Sequence, residues 1–304
     1  MFDIITVGHL CIDSICLPNR REPFVCLGGS PAYVSIVAKR LGAIVSIISK
    51  VGEDFPEAYI KQLASEGVNL SGIVKVKNSQ STRFELKYSH DFSSRTLKLE
   101  GKAPAITVED LPKALKTKAV HIGPIAAEVS YEVIEQLQKC CDLLSLDPQG
   151  ITRRFDKNGN TVQDSLADKH ILELIDVYKS SLDEIKAITS TSVLKSAIKK
   201  VHDYGVKTVI VTLGTAGAIL SHENSISKIP AYKSANVIDP TGAGDSFIGA
   251  FLAKYAKGKE PLWCACAGSA VASLVVEAIG TSFSLDREEV YRRARVLYEK
   301  RIKQ

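Results

Sequence analysis

The 304-residue sequence has one methionine, one tryptophan and only 7% aromatic residues, and its seven cysteines include no C-x-x-C pair. An odd cysteine count in a chain of this length, without paired Cys/His spacing, argues against a disulfide framework and a structural zinc site. Reduced thiols in a cytoplasmic protein are the expectation. No apolar run approaches the roughly 20 residues that span a bilayer. The longest weakly polar stretch, Trp263 to Val276, is full of Ala, Ser and Gly and reads as a buried helix. Met1 to Leu10 lacks a basic start and carries Asp3, which makes a poor signal peptide. Two phosphate-binding patterns are also missing. No G-x-x-x-x-G-K-[ST] occurs, and no glycine cluster completes G-x-G-x-x-G. Charge is scarce in one sense: a net +5 suits an anionic ligand but is too small to argue for nucleic acid.

What is present is the balance of a globular protein, 45% hydrophobic and 24% charged, which excludes disordered and fibrous architectures. Short apolar runs end at Gly, Pro or Asp and alternate with helical spacing. Ile4 to Val7 predicts a buried strand ending at Gly8. Cys11 to Cys26, with Pro18 and Pro23, reads as irregular. Ser30 is expected to cap a helix with Pro31 at its first position and Gly42 at its close. Further strands are expected at Ile44 to Val51, Leu143 to Leu146 and Val206 to Thr212, with helices between them. Ser81 to Lys102 differs, because Arg83 to Tyr88 and Thr96 to Glu100 alternate polar and apolar, as in a half-exposed hairpin. The expectation is a mainly parallel sheet covered on both faces, with ligands at the carboxyl ends of its strands. The last helix, from about Asp286, carries Arg292, Arg293, Arg295, Lys300, Arg301 and Lys303, and reads as a solvated face.

The strongest signal is Asp239 to Phe247, DPTGAGDSF. Gly242, Ala243 and Gly244 let backbone N–H groups approach a ligand, and the helix that follows aims its positive end at the same place, making an anion hole. A carboxylate at Asp245 would repel a phosphate. It makes sense as a general base facing a substrate hydroxyl while the hole holds the transferring phosphoryl group.

DPTGAGDSF resembles the C-terminal signature of the ribokinase/PfkB family of sugar and nucleoside kinases. Gly28-Gly29-Ser30, with the helix to Leu41-Gly42, resembles the N-terminal signature. Val51-Gly52-Glu53-Asp54, Gly67-Val68 and Val211 to Ala218 follow in the family's order. The resemblance covers about Ile4 to Gly280. It implies one α/β domain over 1–304, a three-layer sandwich with a mainly parallel sheet and a small β lid built from about 11–27 and 81–102. It implies transfer of the γ-phosphoryl of ATP to an alcohol, with Mg²⁺. Thr212, Gly214 and Gly217 would lie near the nucleotide with Gly242 and Gly244. The family's Asn-x-x-Glu motif maps to Ser181-x-x-Glu184, so Glu184 would hold Mg²⁺ through water, while Ser181 offers a hydroxyl where the family has an amide. The family also allows a monovalent cation, K⁺, at Asp239 and Thr241.

For the acceptor, the resemblance places Asp13 on substrate hydroxyls, since a carboxylate accepts two hydrogen bonds. Gly28 and Gly29 let a ring approach the backbone, with Ser30 and Tyr33 beside them. The Asn of the ribokinase branch is absent. Asp147-Pro148-Gln149-Gly150 with Arg153 resembles the inositol-kinase branch, so Gln149 and Arg153 would bond ring hydroxyls, with Arg83 as a lid residue. A cyclitol such as myo-inositol is the first expectation; a sugar or a nucleoside is the alternative, and a catalytically silent sensor on the same fold is a third. Neither nucleic acid nor a membrane is expected as a partner. The Phe84-Leu86-Tyr88 face allows a homodimer through the lid.

Overall fold

Apolar runs that alternate between two buried faces build the main sheet. The computed structural model describes residues 1–302 except 93, 164–168, 224 and 235. The strands are β1 (Phe2–Val7), β2 (Cys11–Cys16), β3 (Phe24–Gly28), β4 (Val45–Gly52), β5 (Asn69–Val76), β6 (Thr82–Tyr88), β7 (Arg95–Gly101), β8 (Thr117–Ile122), β9 (Cys141–Leu146), β10 (Arg153–Phe155), β11 (Thr161–Gln163), β12 (Val177–Ser181), β13 (Thr208–Thr212), β14 (Ala218–His222) and β15 (Ser225–Ile229). The α-helices are α1 (Ser30–Arg40), α2 (Glu57–Ser65), α3 (Tyr131–Gln138), α4 (Leu182–Thr189), α5 (Leu194–Asp203), α6 (Ala243–Tyr255), α7 (Pro261–Val275) and α8 (Arg287–Ile302).

Among the described residues, the main sheet has the order β15-β14-β13-β12-β9-β8-β1-β4-β5. It is parallel from β13 to β5, with β14 and β15 added antiparallel. Ile4, Ile47 and Ile210 enter the core under α1, α2, α6, α7 and α8, while Ile5, Ile48 and Val211 enter the core under α3, α4 and α5. That two-sided burial is why the runs lack polar alternation. The strand order reverses between β1 and β8, and the crevice there opens at the strands' carboxyl ends.

A second sheet, β3-β2-β6-β7, stands over that crevice. The segment expected to be irregular, Cys11 to Cys26, supplies two of its strands. Its alternation is hidden because Cys11 packs in the core of the small sheet while Ile12 packs in the main core. Phe84 and Leu86 face inward onto Ile125 and Phe155 of the same chain, so the apolar face that suggested pairing between copies is turned into the protein. The hairpin β10–β11 lies on the β7 edge: the Leu99 N–H donates to the Gly159 carbonyl at 2.8 Å, and Thr161 Oγ1 donates to the Leu97 carbonyl at 2.6 Å.

Two local expectations change. Gly29, at φ 94°, is the residue that caps α1, and Ser30 is its first helical residue, with a buried Oγ that has no hydrogen-bond partner among the described residues. On α8, Arg292 and Arg293 pair with Glu289, and Arg293 also with Glu277, so part of the basic face is neutralised. Among the described residues no helix is long and apolar enough to cross a membrane.

Candidate active site

A cavity of about 310 Å³ lies between the two sheets. It brings together Asp13, Gly29, Ser30, Tyr33, Gln149, Arg153, Ser181, Glu184, Thr212, Thr241, Gly242, Gly244 and Asp245, residues scattered over the whole sequence. Gly28 stands beside the cavity, and Ala243 opens α6 behind it. Gly214 and Gly217 lie past the end of β13, outside the lining. Arg83 is also outside: it pairs with Asp54 at 2.8 Å on the outer face of the small sheet.

The loop before α6 is fixed from behind. Asp239 is buried, its Oδ1 accepting from the Thr241 N–H at 2.9 Å and the Thr241 hydroxyl at 2.6 Å, and its Oδ2 from the Gly280 N–H at 2.8 Å. Gly242 then adopts φ 73°, and a Cβ there would stand 2.2 Å from the Tyr33 ring, so both conformation and space demand glycine. The turn leaves the first N–H groups of α6 directed to the cavity end of the helix, a ready anion site.

Beside it is a lysine that the sequence reading passed over. Lys179, in the middle of β12, is buried and forms a 2.5 Å ion pair with Asp147, which is fully buried. Its Nζ would lie 2.8 Å from a Cβ on Gly244, at the mouth of the anion hole. Burial alone would push the ammonium down, but Asp147, Asp245 and Glu184 outweigh it and hold Lys179 above its ordinary value. Burial pushes Asp147 up from its ordinary value, with the Lys179 ammonium opposing it.

Asp245 sits in the first turn of α6. Its Oδ1 accepts from Gln149 Nε2 at 3.0 Å, and Gln149 Oε1 accepts from Arg153 Nη2 at 2.9 Å. Arg153 stands 3.6 Å from Glu184, and Glu184 and Ser181 form a reciprocal capping box at the start of α4. Burial would raise Glu184, yet Arg153 and Lys179 overcome it and hold the carboxyl below its ordinary value.

At the far end Asp13 is buried, accepts from the Cys11 thiol at 3.0 Å, and lies where a Cβ on Gly28 would come within 2.0 Å of its Oδ2. Burial pushes Asp13 up to about 6, against the opposing pull of Cys11 and Arg95. The buried hydroxyls of Ser30 and Tyr33 have no hydrogen-bond partner in the described protein. From the small sheet, Arg95 Nη1 donates to Tyr88 Oη at 3.2 Å, and Tyr88 shares a 2.8 Å hydrogen bond with the Thr241 hydroxyl. Period-two alternation could have found both. Tyr88 shares its face with Phe84 and Leu86, Arg95 with Leu97 and Leu99, and Arg83 falls on the opposite face.

Among the described residues no group of three or more His, Cys, Asp or Glu side chains gathers to hold a metal. Glu184, with one oxygen on the Ser181 N–H, fits the water-mediated holding that Mg²⁺ favours alongside donor phosphates. The Asp239 carboxylate accepts three hydrogen bonds, two from Thr241 and one from Gly280, and keeps further lone-pair capacity.

A half-buried carboxylate beside a helix-end anion site and a fixed ammonium, under a small sheet, fits a phosphoryl-transfer site on a three-layer α/β body. Residues 1–288 match the pfkB carbohydrate kinase family, and the chain belongs to that family. It is 28% identical over 262 residues to a cytidine kinase of Thermococcus kodakarensis, covering 85% of this chain and 90% of that one. It is 27% identical over 288 residues to an inositol 3-kinase of Arabidopsis thaliana, covering 91% and 74%. A solved pyrophosphate-dependent kinase of the ribokinase family, complexed with a pyrophosphate analog and myo-inositol, superposes with a TM-score of 0.81 at 23% identity, covering 94% and 98%. The chain is thus a kinase that phosphorylates a hydroxyl of a small molecule, on the ribokinase-like fold.

Proposed function

We propose that the acceptor is a polyol, with a cyclitol such as myo-inositol first, and that the donor is ATP with Mg²⁺. The observation that carries the acceptor reading is the buried Asp13 carboxylate at one end of the cavity, which accepts from the Cys11 thiol through Oδ1 and lies beside Gly28 and Gly29. An ionised carboxylate accepts several hydrogen bonds, and a ring bearing several hydroxyls supplies them at once. A nucleoside is the second reading. Phe84 and Phe92 on the small sheet line the same cavity and offer a face to a base, and the cytidine kinase is a relative.

In this reading Asp245 takes the proton of the attacking hydroxyl. The N–H groups of Gly242 and Gly244 with Ala243, and the Lys179 ammonium, stabilise the charge on the transferring group. Ser181, Glu184 and Thr212 face the donor, with Gly214 and Gly217 further along its path. Glu184 would hold Mg²⁺ through water, and the ion when bound would neutralise donor phosphate charge. The small sheet closes the cavity against water.

The test is a transfer screen over inositols, hexoses, pentoses and nucleosides, with ATP and inorganic pyrophosphate as alternative donors. Turnover of a cyclitol with ATP is expected. Turnover confined to nucleosides overturns the cyclitol reading, turnover with pyrophosphate alone overturns the donor, and ligand binding without turnover favours a sensor.

The buried Asp13 adds a pH prediction. As an ionised acceptor above about pH 6 it bonds ring hydroxyls; as the pH falls through that value it protonates and loses half its accepting capacity. The KM for the acceptor should rise toward lower pH, about tenfold by pH 5. Asp13→Asn should show a raised KM that no longer varies over this window. A pH-dependent KM in that variant assigns the titration elsewhere.

A further inference from the structure

We propose that Gln149 is the positioning residue of the base: its carboxamide fixes the Asp245 carboxylate and ties it, through Arg153, to Glu184 on the donor side. This rests on the reading of Asp245 as base.

The chain of contacts has a direction. Arginine only donates and an ionised carboxylate only accepts, so an amide between them must turn its oxygen to Arg153 and its N–H to Asp245. The distances follow that order, 2.9 Å from Arg153 Nη2 to Gln149 Oε1 and 3.0 Å from Gln149 Nε2 to Asp245 Oδ1. The amide is itself anchored. The Gln149 N–H donates to Asp147 Oδ1 at 3.3 Å, Asp147 is pinned by Lys179, and the Gly150 N–H donates to the Pro124 carbonyl at 2.8 Å. Gln149 is only 9% exposed, so it has little room to turn away.

The chemistry favours a neutral donor at this point. Asp245 is faced by Lys179 on β12, Arg95 on β7, Arg153 on β10, Asp147 after β9 and Asp13 on β2. A further cation bonded directly to Asp245 would weaken it as a base. The amide holds one oxygen by a neutral hydrogen bond and leaves the other to receive the hydroxyl proton. One lone pair of its oxygen and one amide proton are already engaged, which leaves one amide proton and the oxygen's second lone pair for the acceptor. The expected role is in turnover more than in acceptor binding.

The test uses Gln149→Met, which keeps the length without the amide, and Gln149→Glu, with Asp245→Asn in parallel. Circular dichroism and urea midpoints verify that each is folded. For Gln149→Met, kcat is expected to fall about 10²-fold, the scale of a misoriented group, with the acceptor KM within about threefold. For Gln149→Glu, two carboxylates would share the contact, and the acidic limb of the kcat profile should move up by about one pH unit or more. A raised KM with kcat intact in Gln149→Met makes Gln149 a substrate ligand and overturns the proposal, as does an unmoved acidic limb in Gln149→Glu. If Asp245→Asn retains turnover, the base reading falls instead. If Asp245→Asn is inactive while the Gln149 variants change only KM, the positioning role alone is lost.

Discussion

Asp245→Asn lowers kcat by about 10²–10⁴-fold, the range a positioned general base contributes. The substitution is close to isosteric, and an Asn amide can still turn its oxygen to Gln149 Nε2, so the hydrogen bond now 3.0 Å long survives and the fold of α6 is kept. What is lost is the ability to take a proton. Donor affinity, which the proposed function assigns to backbone N–H groups and to side chains such as Lys179 and Glu184, should change little. Steady-state kinetics together with direct donor titration check this. Turnover near the wild-type value would mean that another group accepts the proton.

Lys179→Met carries the largest effect on stability. It leaves Asp147 fully buried without its ammonium, and stranding one partner of a buried pair costs about 3–5 kcal/mol. It also removes a fixed cation from the mouth of the anion hole, for which a fall in kcat of about 10²-fold or more is expected. The two consequences can be separated. Adding Asp147→Asn to Lys179→Met removes the stranded charge, so the urea midpoint should recover while turnover stays low. Recovery of both in the double variant would make Lys179 structural only.

The parts of this site legible in the sequence are those where backbone chemistry demands particular residues. Gly242 needs φ 73° and no side chain against Tyr33; Gly28 must clear Asp13; these constraints leave glycines in a short, readable pattern. The main strands were legible because both their faces are buried. Lys179 was not, because a single lysine following a short apolar run looks like the strand running into solvent. Only its place two residues before Ser181-x-x-Glu184 marks it. Alternation puts Arg83 on the outer face with Glu85 and Lys87, while Arg95 shares the cavity side with Leu97. The pairing of β2 with β3 and β6 depends on contacts between segments about 70 residues apart in the case of Cys11 and Thr82, which no local pattern encodes. The roles of Gln149 and Arg153 toward Asp245 were equally out of reach, since a turn residue and a helix residue 96 positions apart meet only in the folded chain.

The hydroxyl pair between Tyr88 and Thr241 sets an energy scale for access to the cavity. Any swing of the small sheet away from the main body must break that contact. A single neutral hydrogen bond contributes about 0.5–1.5 kcal/mol net. It therefore biases the shut arrangement over the open one by roughly two- to tenfold. A contact of that strength is a small part of what holds the small sheet over the cavity, so by itself it sets no brake on the escape of a phosphorylated product.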